Sequence, residues 1–363
     1  MQHPPYLDTR DFSGGDSTWT FTVPKSTGIP LLDAALYDIS NRHSNGHNPE
    51  ILLQLLSTSI QAASSDISEH DLEVMNRTLA EMFHANQAFT PYRHIRKISI
   101  FGSARIKAGE PSYIVARDFS KLATEHGYMT ITGGGPGIMQ ACNEGAGADN
   151  SFGLNITLPF EQEANPVMQG NPRLINFYYF YIRKLNFVSE SDALVAFPGG
   201  FGTMDEIFET ITLIQTGKAT IYPVVLLDAP GKTFWKQWIS FIRTELVDSH
   251  LISPEDLSFL FVTQNPQEAI EHIDRFYHIF HSYRFVGDMI SIRLTSSLST
   301  EAIAKLQHDF ADLVKDGCIV QRGPLAEEND EPLIADLPRL VFHLKRGNYG
   351  RLRQFIDAIN DAE

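Results

Sequence analysis

The sequence predicts an α/β protein: a doubly wound, Rossmann-like parallel sheet with a helical N-terminal extension and a small α+β C-terminal module. Three observations carry this expectation. Between residues 95 and 282, short apolar runs alternate with longer segments of helical periodicity, the pattern of βαβ units. Two glycine-rich turns lie where an apolar run ends and a helical segment begins. The chain has 363 residues, 43% of them hydrophobic and 20% charged, enough for a sizeable core with additions on both flanks.

Taken in order, residues 1 to about 28 are rich in Ser, Thr, Gly, Pro and Asp and read as a loose arm with one short strand at Trp19–Val23. Residues 29–90 read as helices. Ile29, Leu31, Leu32, Ala35 and Leu36 recur at helical spacing, as do Ile51, Leu52, Leu55, Leu56 and Ile60. A third helix starts near Ser68, with Asp71 three residues on, which approximates a capping box.

Residues 95–282 then alternate. Strands are expected at Lys97–Phe101, Tyr128–Thr132, Phe152–Thr157, Arg173–Phe177, Ala193–Phe197, Tyr222–Leu227 and Phe259–Val262. Helices are expected at Ser112–His126, Gly137–Ala146, Ile182–Ser189, Thr203–Gln215, Thr233–Val247 and Pro266–Phe280. The last stretch, 283–363, reads strand Met289–Leu294, helix Thr300–Asp316, strand Cys318–Gly323, an acidic loop around Glu327–Glu331, strand Arg339–His343 and helix Gly350–Ala358. The expected domains are therefore 1–94, 95–282 and 283–363, with the last expected to be separable from the chemistry.

With 29 Lys+Arg against 44 Asp+Glu, the formal charge is −15. Bulk charge of that sign argues against nucleic acid or an anionic membrane as partner, since both are polyanions, but leaves room for a local pocket that takes one phosphate. No apolar run approaches the roughly 20 residues needed to cross a bilayer. Met1-Gln2-His3-Pro4-Pro5 lacks the basic and apolar regions of a signal peptide. Cys142 and Cys318 form no CxxC pair, so neither a disulfide framework nor a zinc site is expected, and a reducing cytoplasm fits.

The two turns are Thr132-Gly133-Gly134-Gly135-Pro136-Gly137 and Pro198-Gly199-Gly200-Phe201-Gly202-Thr203. Glycines let the backbone approach an anion, the following helix offers unpaired N–H groups, and Thr203 adds a hydroxyl donor. A dinucleotide fingerprint would place its third glycine at Ile138 or Asp205, so NAD is disfavoured. A Walker loop ending at Gly231-Lys232-Thr233 would need glycine where Leu226 stands. Gly102-Ser103-Ala104 is no nucleophile elbow.

Beside the second turn stand the acids Asp205, Glu206 and Glu209. Two readings fit Glu206. It complements the helix dipole, worth about 0.3–1 kcal/mol, or it stabilises positive charge at a sugar whose phosphate is held by the turn. Arg183-Lys184 follows an aromatic run that includes Tyr178, Tyr179 and Tyr181, rings suited to a base, a core or a partner chain.

These turns carry a resemblance. Pro198–Glu206 matches every fixed position of PGGxGTxxE, the hallmark of the LOG (Lonely Guy) family of nucleoside 5′-monophosphate phosphoribohydrolases, and Gly133–Gly137 resembles that family's other glycine loop. Phe101-Gly102-Ser103 is similar to its first-strand turn. The segment around Arg183-Lys184 resembles its MHxRKxxM motif, with Phe180, Tyr181 and Phe187 in place of Met, His and Met. The resemblance covers roughly residues 95–282.

It implies hydrolysis of the N-glycosidic bond of a nucleoside 5′-monophosphate, with Arg183 and Glu206 catalytic. It implies substrate-binding positions at Gly102, Ser103, Gly133, Gly134, Gly135, Gly137, Lys184, Gly199, Gly200, Gly202, Thr203 and Asp205. It implies no metal or organic cofactor, and a dimer with sites near the interface. Members have also been labelled lysine decarboxylases, a label that implies pyridoxal phosphate; no lysine context here supports it. Long flanks favour ordinary purine or pyrimidine nucleotides over cytokinin ribotides. A nucleotide-binding regulator without turnover is the rival reading.

Overall fold

The computed structural model describes residues 23–157, 164–329 and 331–362. The chain divides into two compact units, one spanning residues 15–83 and the other containing residues 84–363. The expected strand Trp19–Val23 lies outside the described residues except for Val23, which is irregular.

The first unit is helical: α1 (Pro30–His43), α2 (Pro49–Ala63) and most of α3 (Glu69–Phe89). Asn48 caps α2 by accepting the N–H of Glu50, and Pro49 occupies the first turn where its missing N–H is harmless. Ser68 accepts the N–H of Asp71 at 3.1 Å, as the sequence suggests for a helix start.

The second unit opens with the α/β half: β1 (Lys97–Phe101), α4 (Pro111–Glu125), β2 (Met129–Thr132), α5 (Ile138–Ala146), β3 (Ser151–Ile156), β4 (Leu174–Phe177), α6 (Phe180–Ser189), β5 (Ala193–Ala196), α7 (Phe201–Gln215), β6 (Val224–Leu227), α8 (Phe234–Phe241), β7 (Leu260–Thr263) and α9 (Pro266–Phe276). The strands form one seven-stranded sheet in the order β4-β3-β2-β1-β5-β6-β7. Every pairing is parallel. The apolar runs are wholly buried in β1, β2, β5 and β6 because helices cover both faces. On α4, Tyr113, Val115, Ala116, Phe119 and Ala123 point into the core with Ile98, Ile100, Val195 and Val225. Strand order reverses between β1 and β5. That switch point opens a crevice at the strands' carboxyl ends.

The C-terminal module is a four-stranded antiparallel sheet, β10-β11-β9-β8, built from β8 (Phe280–Val286), β9 (Met289–Leu294), β10 (Val320–Arg322) and β11 (Arg339–His343). It carries α10 (Thr300–Asp309) and α11 (Tyr349–Asn360). Its buried Arg293 is paired with Glu328 at 2.9 Å and with Glu331.

Three expectations are corrected here. The helix expected over Pro266–Phe280 stops at Phe276, and β8 follows, because the apolar spacing runs on through Ile279 and Phe280 into a hairpin closed at Gly287. The helix expected to reach Asp316 ends at Asp309, with a 3₁₀ turn over Ala311–Leu313. The segment Thr233–Val247 is α-helical only to Phe241 and continues as a π-helix over Ile242–Val247.

The C-terminal helix also returns to the α/β half. Asn360 Oδ1 accepts the N–H groups of Ile279 and Phe280 at 2.9 and 2.8 Å, and Ser258 Oγ donates to Gly350 O at 2.9 Å. Arg353, 1% exposed, packs its guanidinium on the Phe276 ring. Among the described residues no helix is long and apolar enough to cross a membrane.

Candidate active site

Three chain segments meet at the switch point: the turn after β1, the turn after β2 and the turn after β5. Backbone hydrogen bonds sew them together. Phe197 N–H donates to Phe101 O at 2.8 Å, Ser103 N–H to Pro198 O at 3.2 Å, and Ile138 N–H to Ser103 O at 3.1 Å. The closeness demands glycine. Gly137 has φ +70, and a Cβ there would stand 2.4 Å from Ser103 O. A Cβ on Gly199 would stand 2.1 Å from Thr203 Oγ1.

The segments enclose a cavity of about 700 Å³. The sequence-predicted residues on its wall are Gly102, Ser103, Gly133, Arg183, Gly199, Gly200, Gly202, Thr203, Asp205 and Glu206. The start of α7 lines it, with the N–H groups of Phe201 and Gly202 in the first turn lacking an acceptor within the helix at the positive end of its dipole, while Thr203 N–H donates to Gly200 O at 3.1 Å. That is a site for an anion.

Gly134, Gly135, Gly137 and Lys184 stand off the wall. The carbonyls of Gly134 and Gly135 face inward and accept hydrogen bonds from Asn165 at 3.0 Å each. Gly137 caps α5 against the Ser103 backbone. Lys184 Nζ lies 2.7 Å from both Asp205 Oδ2 and Glu209 Oε2. Burial lowers the Lys184 pKa, but these two partners outweigh it and the net direction is up, so the ammonium is charged and engaged.

Arg183, on α6, is tethered by Nε donating to Leu154 O at 2.8 Å, with its guanidinium 5.1 Å from the Phe187 ring centre. Burial pulls its pKa down and the Glu206 carboxylate pushes it back up. Glu206 is 6% exposed. Burial raises its pKa from 4.5 to about 7, while Lys184 and Arg183 work in the opposite direction. The cavity therefore presents an anion cradle, a fixed cation and a carboxyl poised to change protonation near neutrality.

Of the aromatic run, Phe180 reaches the wall, whereas Tyr179 and Tyr181 stack on each other at 5.1 Å. Met139, Phe201 and Met204 also line the cavity, without having been singled out from the sequence. Phe201 is 96% exposed at its mouth. Asn143 is buried beneath the first turn, where its Oδ1 accepts from Thr132 Oγ1 at 2.9 Å. Asn165 was missed because a lone Asn-Pro pair reads only as a turn. Among the described residues no group of three His, Cys, Asp or Glu side chains is placed to hold a metal ion.

Residues 139–273 match the family model described as "Possible lysine decarboxylase". The chain is similar to the probable cytokinin riboside 5′-monophosphate phosphoribohydrolase LOGL6 of Oryza sativa subsp. japonica, with 33% identity over 26% of this chain and 36% of that protein. It is similar to LOG7 of Arabidopsis thaliana, with 32% identity over 26% of this chain and 42% of that protein. With LOG of Oryza sativa subsp. japonica the identity is 32% over 40% of this chain and 60% of that protein. The chain thus spans well under half the length of the first two of these relatives. Among solved structures, the molybdenum cofactor carrier protein of Chlamydomonas reinhardtii matches with TM-score 0.35 and 20% identity, over 50% of this chain and 97% of that one.

Proposed function

We propose that this chain, which carries a LOG-family domain in residues 139–273, hydrolyses nucleoside 5′-monophosphates to free base and ribose 5-phosphate. The single observation that carries the reading is the placement of Glu206. A buried carboxyl sits one turn into the helix whose start forms the anion cradle, on the same cavity wall as Arg183. A carboxylate there works against binding an anion as an end in itself. It serves a reaction at the sugar attached to that anion.

In this reading the 5′-phosphate rests on the N–H groups at Gly200, Phe201 and Gly202 and on the Thr203 hydroxyl. The ribose C1′ then faces Glu206. As the C1′–N bond breaks, its electron pair leaves with the base nitrogen and positive charge grows at C1′. The ionised Glu206 stabilises that charge and takes a proton from the water whose oxygen bonds to C1′. That proton is passed to the departing base. Arg183 holds the substrate through paired hydrogen bonds and keeps Glu206 partly ionised.

Lys184 and Asp205 support the wall rather than touch substrate. Two copies pair near the site, in line with the resemblance. The preferred substrates are ordinary purine or pyrimidine monophosphates, because the chain is long on both flanks. Cytokinin ribotides are the alternative.

The family description also raises pyridoxal phosphate. The residues do not fit it: no lysine lines the cavity, and neighbouring Lys184 is held protonated between two carboxylates, whereas an aldehyde needs a neutral amine.

Incubation with AMP, GMP, CMP and isopentenyladenosine monophosphate tests the proposal. Free base and ribose 5-phosphate from at least one are expected. Binding without base release from any would favour a regulatory nucleotide binder.

A further inference from the structure

Asn165, in the segment between β3 and β4, is bonded to the first glycine turn. Asn165 is 4% exposed. Its Nδ2 donates to Gly134 O at 3.0 Å, Gly135 O at 3.0 Å and Asn143 Oδ1 at 2.9 Å, sharing two N–H bonds among three acceptors. Its main-chain N–H donates to Gly134 O at 2.8 Å. Its Oδ1 accepts from Val167 N–H and Met168 N–H at 3.1 and 3.2 Å. The turn is held a second time by Thr132 Oγ1, which accepts Gly134 N–H at 3.0 Å and donates to Asn143.

These bonds fix the two residues that follow Gly133. Gly133 is where the turn meets the cavity, and there a Cβ would stand 2.7 Å from Arg183 Nη2. Asn165 itself does not line the cavity.

We infer that Asn165 is a positioning residue: it clamps the Gly133–Gly137 turn beneath Arg183, so that turn and guanidinium present one preset surface to the monophosphate. The inference rests on the monophosphate reading of the site. The competing view is that Asn165 only closes its own turn, through Oδ1.

The two ends of the side chain can be separated. Asn165→Asp keeps the acceptor for Val167 and Met168 but sets a carboxyl against three oxygens. A buried carboxyl without a cation favours its protonated form, and protonation restores one donor. Asn165→Ser keeps a turn-closing acceptor and restores no donor at any pH.

AMP affinity by calorimetry and adenine release are measured on the full-length wild type and both variants, at about pH 8 and about pH 5.5. At the higher pH both variants are expected to lose about tenfold or more in affinity and turnover, the scale set by misplacement of a contact surface. At the lower pH the Asn165→Asp to wild-type ratio is expected to rise several-fold while the Asn165→Ser ratio stays flat.

Wild-type affinity and kcat in Asn165→Asp at the higher pH would overturn the clamp, as would an equal, pH-independent loss in both variants. If Asn165→Asp fails to melt cooperatively, Asn165→Ser decides by its affinity relative to wild type. Where the wild type does not bind AMP, whichever of GMP, CMP and isopentenyladenosine monophosphate it does bind replaces AMP in the comparison. A wild type that binds one of the four but releases base from none refutes the hydrolase reading alone, and the affinity ratios still decide Asn165. A wild type that binds none of the four overturns both.

Discussion

Glu206 combines two properties that oppose each other. Its burial is needed to bring a responsive carboxyl to the cavity, and that burial destabilises the fold. The displacement of its pKa from 4.5 to about 7 corresponds to roughly 3 kcal/mol. The folded protein keeps a proton that the unfolded chain releases between about pH 4.5 and 7. Stability therefore falls as pH rises through that window, and the penalty is complete above it. Glu206→Gln should raise the melting temperature at pH 8 and leave it unchanged near pH 4; thermal unfolding at both values checks this. The same substitution should reduce base release by about 10²–10⁴-fold with little effect on phosphate binding. It should also remove the rise in kcat/KM that is expected of the wild type as pH passes about 7. Arg183→Ala should be nearly inactive, and a variant with most of the wild-type kcat would take Arg183 out of the mechanism. Both residues were legible in the sequence because a motif numbers them. Asn165 was not, because its partners are backbone carbonyls 30 and 31 residues away.

At the scale of elements, the glycine turns act as hinges of contact between strands rather than as loose loops. Gly137→Ala would force a side chain into a left-handed backbone and against Ser103 O at 2.4 Å. Backbone strain alone is worth roughly 1–3 kcal/mol, so the variant should unfold at lower denaturant and lose activity together. Gly200→Ala meets nothing within 4 Å and should keep its stability, which makes it the control in the same denaturation series. Strands such as Lys97–Phe101, Met289–Leu294 and Arg339–His343 were legible to the residue because their apolar runs are bounded by turn residues. β8 was hidden because Tyr277, Phe280 and Tyr283 continue the spacing of the helix before it. The π-helical end of the segment after β6 leaves no mark in periodicity at all.

The whole molecule supplies what neither turn contains. The two turns are more than 60 residues apart in sequence, and only the strand order, with β1 beside β5, sets them on one crevice. In detail, Gly134, Gly135, Gly137 and Lys184, which the resemblance implied as substrate-binding positions, do not line the cavity, and Lys184 lies between the carboxylates of Asp205 and Glu209. The C-terminal stretch was expected to be separable. Residues 84–363 fall within one compact unit, and Leu352, Phe355, Ile356 and Ile359 of α11 are fully buried. Deletion of residues 283–363 would cut β8 and uncover that face, so the truncated chain should lose its cooperative melt rather than merely its regulation.

The central claim is that the cradle at α7 places a nucleotide's sugar between Glu206 and Arg183. A crystal structure of Glu206→Gln soaked with AMP tests it most directly. The phosphate is expected on the N–H groups of Gly200–Gly202, with C1′ beside residue 206 and Arg183 within hydrogen-bond reach of the ligand. A phosphate bound away from both glycine turns, or a C1′ out of reach of residue 206, would contradict it.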